Sequence, residues 1–451
     1  MGEFRLLKQH LQEDGSIEVE VIAKTDRARC PRCQRVCVKV HDRRPRPKRD
    51  IPLRGHRIVL VLFKRRFRCL TCRRSFTEAD QACGKRRRTT KRLREHIGKQ
   101  ACSRPVSHVA AEMQVGPRLV QTCLEEVAQV ELAKHHLSLD ETAPLPTPRY
   151  VGIDEFARRK GHRSDTILCD LDGRKVLEVS AGRTKDEVCH LLERLSTCDG
   201  VQAVSMDMST TVREAVQLVL PHARIVAAHF HVIQHVGKAL KKVIGRHAKK
   251  EAGKQALEGQ RHLFLRNQQD LSSEEEHSRA ALALAFPEIA MAWQLKEALR
   301  TWDATTSAST AAHDLDRWIA SVKRHGPKEM RTALSAFRNW RPAILAFFDF
   351  LPTRLSNGFV EGKNNRTKAV MRQAYGYRNR RNLRLRILLA VASWFFATFP
   401  LQDGEPSLAG VSAADHWNRP DTACPPVGCS GAYPSECREP RGHLSRPPCR
   451  V

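Results

Sequence analysis

Two cysteine pairs and three dispersed acids are the residues of this 451-residue chain whose types and spacing could do chemistry. Cys30-Pro-Arg-Cys33 and Cys69-Leu-Thr-Cys72 are CxxC turns, with 36 residues from Cys33 to Cys69. A tetrahedral zinc ion takes four soft ligands, and each such turn offers two thiolates from one loop. The Arg and Lys residues around both turns would offset the charge of a four-thiolate site. With no position left for water, that zinc is expected to be structural. Cys37 or Cys83 could replace one ligand and His41 is a weaker rival; the bland alternative is two unrelated buried thiol pairs. A redox role lacks the strand–helix context of a thioredoxin-like CxxC.

The acids are Asp154, Asp207 and Glu361. Asp154 ends the apolar run Val151-Gly152-Ile153, and Asp207 ends Val204-Ser205-Met206. Glu361 stands in Ser356-Asn357-Gly358-Phe359-Val360-Glu361-Gly362, inside a basic stretch. Taken singly, each acid reads as a surface charge or a helix cap. Brought together they would repel one another, and divalent cations are the remedy. A pair of such ions can activate an attacking oxygen and stabilise a leaving oxygen in phosphodiester chemistry.

Convergence needs a sheet, and the hydropathy pattern supplies one. Tyr150–Phe156, Thr166–Asp170 and Lys175–Ser180 read as strands, the last two joined by Asp172-Gly173. A helix over Lys185–Leu195, a strand over Val201–Met206, a helix over Thr211–Leu220 and a strand over Arg224–Phe230 follow. In the order β-β-β-α-β-α-β the first and fourth strands are neighbours, so Asp154 and Asp207 would meet at one edge. Residues 232–350 read as charged helices, and 351–400 as a basic helix followed by an apolar one. The segment 401–451, rich in Pro, Gly, Ser and Arg, is expected to be a disordered tail.

Before that sheet, 1–29 reads as a hairpin and Arg57–Arg68 as a strand between the cysteine pairs. Lys85–Arg88 is a run of four cations. Helices are expected from Thr90 to about Ala101, over Val106–Met113 and over Pro117–Val127, with Gly116-Pro117 marking a helix start. Ala110 and Ala111 are small enough for a close crossing. This is the shape of a helix-turn-helix, whose second helix enters the major groove; a plain helical hairpin is the alternative. Arg118 and Gln121, near the start of that second helix, are the candidates for base or phosphate contact. Thr142–Pro148, with three prolines in seven residues, reads as a linker.

The expected division is therefore a zinc-binding β module over 1–82, a helix-turn-helix domain over 83–140 and a linker over 141–149. An α/β core over 150–231, helices over 232–350, final helices over 351–400 and the tail complete it.

Charge points to the partner. Lys and Arg number 78 against 49 Asp and Glu, a formal +29, which suits a polyanion such as DNA. Residues 1–150 alone hold 33 basic and 17 acidic side chains. Arg354–Arg386 has ten cations and one acid, Glu361. A solvated surface helix is the ordinary reading of such a run. The sharper one is a DNA-facing helix in which Lys363, Arg366, Lys368 and Arg372 grip the strand and Glu361 stays ionised. No run of about 18 apolar residues exists; the longest, near Leu388–Phe399, is too short, and no signal-peptide core follows Met1. Membrane and secreted readings are excluded, and the fifteen cysteines fit an intracellular protein with metal ligation.

Several of these segments together resemble a known family. Gly152-Ile153-Asp154-Glu155, Asp207-Met208-Ser209, Ser356–Gly362, Tyr375-Gly376-Tyr377-Arg378-Asn379 and both cysteine pairs are similar to the DDE transposases of bacterial insertion sequences. The group in question has an N-terminal zinc-binding domain and a helix-turn-helix. The resemblance covers roughly 1–400, and it implies a ribonuclease-H-like catalytic domain interrupted by a helical insertion. It also implies Mg²⁺ (or Mn²⁺), with Asp154 bridging two ions and Asp207 and Glu361 holding one each. The implied partners are the element's terminal inverted repeats and target DNA, bound by a dimer or larger assembly in the bacterial cytoplasm, at the nucleoid. One departure stands out: the family commonly has Asp two residues before Phe-His, where this chain reads Ala228-His229-Phe230-His231. His231, which is kept, is a possible accessory to the acids. A DNA-binding regulator or repressor that lost catalysis is the rival reading, and a nuclease or resolvase of the same fold a third. No activated Ser supports a serine recombinase, and an RNA-packaging protein would leave the acids unexplained.

Overall fold

The computed structural model describes residues 4–389, apart from 80–81, 85–86, 160–162, 306, 351–354, 375–376 and 378. The expected tail over 401–451, the apolar stretch beyond Leu389, Lys85 and Arg86, Arg354, and Tyr375, Gly376 and Arg378 lie outside the described residues. The described residues fall within one compact unit.

The N-terminal hairpin pairs β1 (Phe4–Leu11) with β2 (Ile17–Ala23). Two short strands follow, β3 (Ala28–Arg29) and β4 (Val36–Cys37), and then a long hairpin, β5 (Val40–Leu53) with β6 (His56–Arg68). Its turn is Arg54-Gly55, both at positive φ, the conformation two-residue hairpins favour. β7 (Ser75–Thr77) pairs with the end of β6, and β2 runs parallel to β6. A hairpin between the cysteine pairs is what their long spacing suggests; the pattern bounds its β6 strand but not β5, which carries Pro45, Pro47 and many cations. β5 persists because it is an edge strand: prolines are tolerated there, Arg43, Arg44 and Arg46 face water, and Arg49 donates to the Met113 and Gln114 carbonyls.

Three helices come next: α1 (Lys91–Ser103), α2 (Val106–Glu112) and α3 (Pro117–Ala133). Thr90 caps α1, its hydroxyl accepting from the Leu93 N–H. The tight crossing is made at Gly98, not at the alanines. A Cβ there would stand 2.4 Å from the Cys123 carbonyl oxygen, so only glycine lets α1 and α3 approach. Asp50, buried at the end of β5, accepts from Thr90 Oγ1 and from Arg92 Nε, both at 2.7 Å, which ties the β region to α1.

The second sheet has the order β10-β9-β8-β11-β12. β8 (Tyr150–Arg159), β9 (Arg163–Asp170) and β10 (Lys175–Ala181) are antiparallel; β11 (Ala203–Met206) and β12 (Arg224–Ala227) run parallel to β8. Helices α4 (Lys185–Glu193) and α5 (Thr210–Val219) make the crossovers. The fifth strand was expected to reach Phe230; it stops at Ala227. Ala228 is the N-cap of α6 (His229–His247), so His229 and Phe230 are helical.

Six more helices follow before the Glu361 segment: α7 (Glu251–Ala256), α8 (His262–Leu265), α9 (Ser273–Ala285), α10 (Pro287–Thr305), α11 (Ala311–His325) and α12 (Lys328–Ala346). α13 (Gly358–Gln373) then packs on β8, and α14 (Arg380–Leu389) lies against β10, α1 and α3. One apolar core runs through α1–α3, the second sheet and these helices.

Candidate active site

Parallel pairing sets the acids level with one another. Ser205 lies opposite Gly152, so two residues further on Asp207, just past the end of β11, comes level with Asp154, which lies within β8 and not at its end as expected, because that strand continues to Arg159. Met206 lies opposite Ala227, which sets Ala228 level with Asp207 on the third strand line. The row therefore reads Asp154, Asp207, Ala228.

Glu361 reaches this row from the first turn of α13. The approach depends on Gly152, where a Cβ would stand 2.5 Å from Val360 Cγ2 and 2.7 Å from Leu171 Cδ2. Two buried asparagines, which the pattern reading did not single out, fasten the helix. Asn357 Nδ2 donates to the Ile153 carbonyl at 3.1 Å, and Asn364 Nδ2 donates to Asp154 Oδ2 at 2.7 Å. The Glu155 N–H donates to Asp154 Oδ1 at 2.8 Å. His231, in the first turn of α6, places Nε2 3.7 Å from Glu361 Oε1. The only sequence signal for these asparagines was their position at i−4 and i+3 from Glu361, on the same helix face.

Burial sets the electrostatics. It raises all three carboxyls above their ordinary range, helped for Asp207 and Glu361 by the charge of Asp154; Glu361 is pushed up to about 7. Against the expectation that Glu361 stays ionised in a cationic field, burial and the charge of Asp154 both favour its proton. The charge felt at Glu361 is that of Asp154 and not that of the helix's cations. Glu361 Oε1 is buried with no hydrogen-bond partner. An orphaned carboxyl oxygen beside two further carboxyls is the donor set a hard divalent cation takes. The three acids are more open than a closed cage: among the described residues, the four thiols alone form a metal-ligating group with every ligand atom within 4.8 Å of the others.

Those thiols are Cys30, Cys33, Cys69 and Cys72. Their sulfurs stand 3.5 Å (Cys30–Cys72), 3.5 Å (Cys33–Cys69) and 4.0 Å (Cys33–Cys72) apart. Sulfurs about 2.3 Å from a tetrahedral zinc lie about 3.8 Å from one another, so the spacing fits zinc. The two turns repeat the same backbone: Cys30 N–H donates to Arg35 O and Cys69 N–H to Arg74 O, both at 2.9 Å, and Gln34 and Arg73 both take positive φ. Backbone N–H groups of the second turn, that of Cys72 first, hold the Cys69 thiol down at about 6, ready to ligate as thiolate. Cys37 is buried beside the group but outside it, and Phe67 stacks on Phe76 beneath it.

A family model for the DDE transposases of the ISL3 group, described as a transposase, matches residues 151–387. A second model, the zinc-finger of transposase IS204/IS1001/IS1096/IS1165, matches residues 26–72. The chain belongs to the ISL3 family of transposases. It is 27% identical over 371 residues to the transposase for insertion sequence element IS1001 of Bordetella parapertussis, covering 80% of this chain and 88% of that protein. It is 26% identical over 271 residues to the transposase for insertion sequence element IS1557 of Mycobacterium tuberculosis, covering 54% of this chain and 60% of that one. Family membership makes the chain an enzyme of the nuclease or transesterase type that acts on DNA, with a zinc ribbon in its N-terminal β region. No helix among the described residues is long and apolar enough to cross a membrane.

The transposase distributes its expected DNA contacts unevenly. Arg118 is exposed at the start of α3. Gln121 is occupied internally, donating to Asn382 of α14 at 2.8 Å and to Glu125 at 3.2 Å. On α13, at 100° per residue, Lys368 and Arg372 fall within about 20° of Glu361, whereas Lys363 and Arg366 lie about 140–200° away. Lys363 Nζ sits 4.8 Å from the Phe359 ring centroid. The reading of Arg354–Arg386 as uniformly DNA-facing is corrected at its far end. Arg384 is buried, donating to Glu178 at 2.5 and 2.8 Å and to the Leu139 and Ser138 carbonyls. Arg386 is buried too, donating to Tyr377 and to the Arg104 carbonyl.

Proposed function

We propose that this transposase binds the ends of an insertion sequence and cuts and joins DNA at a divalent-metal centre formed by Asp154, Asp207 and Glu361. The observation that carries the reading is the level placement of Asp154 and Asp207 on adjacent parallel strands, with the orphaned Glu361 oxygen beside them. The sheet order, three antiparallel strands followed by two parallel ones, suits a ribonuclease-H-like domain, and the helices from α6 to α12 would be its insertion. The proposed division remains 1–82, 83–140, 141–149, 150–231, 232–350 and 351–400, with α2 and α3 as the helix-turn-helix.

Mg²⁺ (or Mn²⁺), when bound, would supply charge to activate the attacking oxygen and stabilise the leaving one. Asp154, with one oxygen on the Glu155 N–H and the other on Asn364, is the most firmly oriented of the acids and would be shared between the ions. Asp207 and Glu361 would each hold one ion, and His231, 3.7 Å from Glu361, would help to orient it. Lys368 and Arg372, on the Glu361 face, grip the strand being cut; Lys363 and Arg366 approach from the helix's other side. Arg118 reads or grips the element end, and Gln121 joins it only if α3 parts from α14. A dimer or larger assembly would bring two ends together.

Ala228 favours a second reading, a DNA-binding regulator without catalysis, because the row's third place holds no acid. Both readings meet one test: nicking of a supercoiled plasmid that carries the element's ends, with Mg²⁺. The catalytic reading expects nicking by the wild type and a fall of at least about a thousandfold in Asp154→Asn, Asp207→Asn and Glu361→Gln, with end binding retained. Wild-type protein that binds ends without nicking, and nicks only after Ala228→Asp, establishes the regulator.

A further inference from the structure

Helix α6 leaves the acids carrying His231, His235, Lys238 and Lys242, a spacing that puts all four on one face. From His235 onward that face opens on a cavity of about 1230 Å³ between α6, the start of α10 and the Gly326-Pro327 corner before α12. Its walls are cationic: Lys238, Lys241 and Lys242 from α6, Lys328 and Arg331 from α12. All five are exposed, and none has an ion-pair partner among the described residues. The two acids on the cavity wall cannot serve them. Glu288 and Glu329 are both taken by Arg246, at 2.8 and 2.7 Å, and Glu288 is shared with His247.

Five unpaired like charges around one groove repel over a Debye length of about 8 Å, and a polyanion relieves them. The volume exceeds the roughly 300–1,000 Å³ of small-molecule pockets. Met291 and Ala333 add apolar surface between the charges. The groove leads away from the acids along α6, whose His231 stands 3.7 Å from Glu361 and shares a helix face with His235, Lys238 and Lys242.

We propose that this groove binds the DNA backbone on one side of the cut, with Lys238, Lys242 and Arg331 contacting phosphates. The placement relative to the cut rests on the carboxylate reading above; the groove's affinity for DNA does not. The test uses the full chain and a random-sequence DNA duplex, without added Mg²⁺, and follows affinity against salt. Lys238→Ala/Lys242→Ala/Arg331→Ala should reduce the slope of log K against log salt by about 2–3, at about 0.9 per lost phosphate contact. Lys249→Ala/Lys250→Ala, exposed cations outside the groove, should leave the slope unchanged. An unchanged slope in the triple variant, or an equal fall per cation in the control, overturns the proposal. In Mg²⁺ the triple variant should nick slowly at low DNA concentration and recover at saturation; slowing that persists at saturation overturns a role in binding. Asp154→Asn should keep the wild-type slope, so nicking by that variant sinks the carboxylate reading whatever the slope shows.

Discussion

Asn364 and Asp154 are joined by a 2.7 Å hydrogen bond across 210 residues of sequence. The bond links α13 to β8 one helical turn from Glu361, so the orientation of one acid depends on the helix that delivers another. Asn364→Ala removes a hydrogen bond to a charged group, worth about 1.5–3 kcal/mol. Plasmid nicking should fall about 10- to 100-fold, with the melting temperature shifted by only a few degrees. An activity loss matched by global unfolding would make Asn364 merely structural.

Gly152→Ala puts a methyl group where Val360 and Leu171 already stand. Overpacking of this kind costs about 1–3 kcal/mol. A shift of about 1 Å in α13 would cost nicking about a hundredfold. Thermal melting and nicking measured on the same preparation check both numbers. Wild-type activity in this variant would show that α13 need not approach so closely.

The Glu361 carboxyl, raised to about 7 by burial and Asp154, gives the Mg²⁺-free protein a pH signature. In the unfolded chain this group titrates near its ordinary 4.5. Between these values the native state binds the extra proton, so this group's contribution to stability is present below about 4.5 and lost as pH rises through about 7. The effect is at most about 3 kcal/mol. Glu361→Gln should flatten this part of the stability profile, measured by denaturant unfolding without added Mg²⁺ over that range. Magnesium should recover stability near pH 7 in the wild type and much less in the variant.

Cys30→Ser and Cys69→Ser should each abolish zinc binding, against one zinc per chain in the wild type by elemental analysis. Loss of structure should centre on the zinc-ribbon region, while nicking by protein already bound to DNA survives. Zinc retained in either variant would mean that Cys37 or another donor replaces the lost thiol.

Much of this site was legible because its signals are local. Two CxxC turns announce four thiols, and the acid after a short apolar run marks the end of β11 at Asp207, although β8 runs on past Asp154 to Arg159. Less was legible where tertiary context decides. β5 hides behind prolines that only an edge strand tolerates. Gly98 and Gly152 look unremarkable until the element packed against each is known. The Arg354–Arg386 cations look alike in sequence, yet Arg384 is spent on Glu178 while Lys368 shares the face of Glu361. Nor does the sequence show that Glu361 is buried near Asp154, which favours its proton despite the cations along the same helix.

The central claim is that Asp154, Asp207 and Glu361 together hold divalent metal. The most direct measurement is anomalous X-ray scattering from crystals of the full chain soaked in Mn²⁺. One or two manganese peaks should lie between these three carboxylates, about 3.5–4 Å apart if two are present, and Asp154→Asn should lose them. Manganese absent from that position in the wild type, or persisting unchanged in Asp154→Asn, would contradict the account.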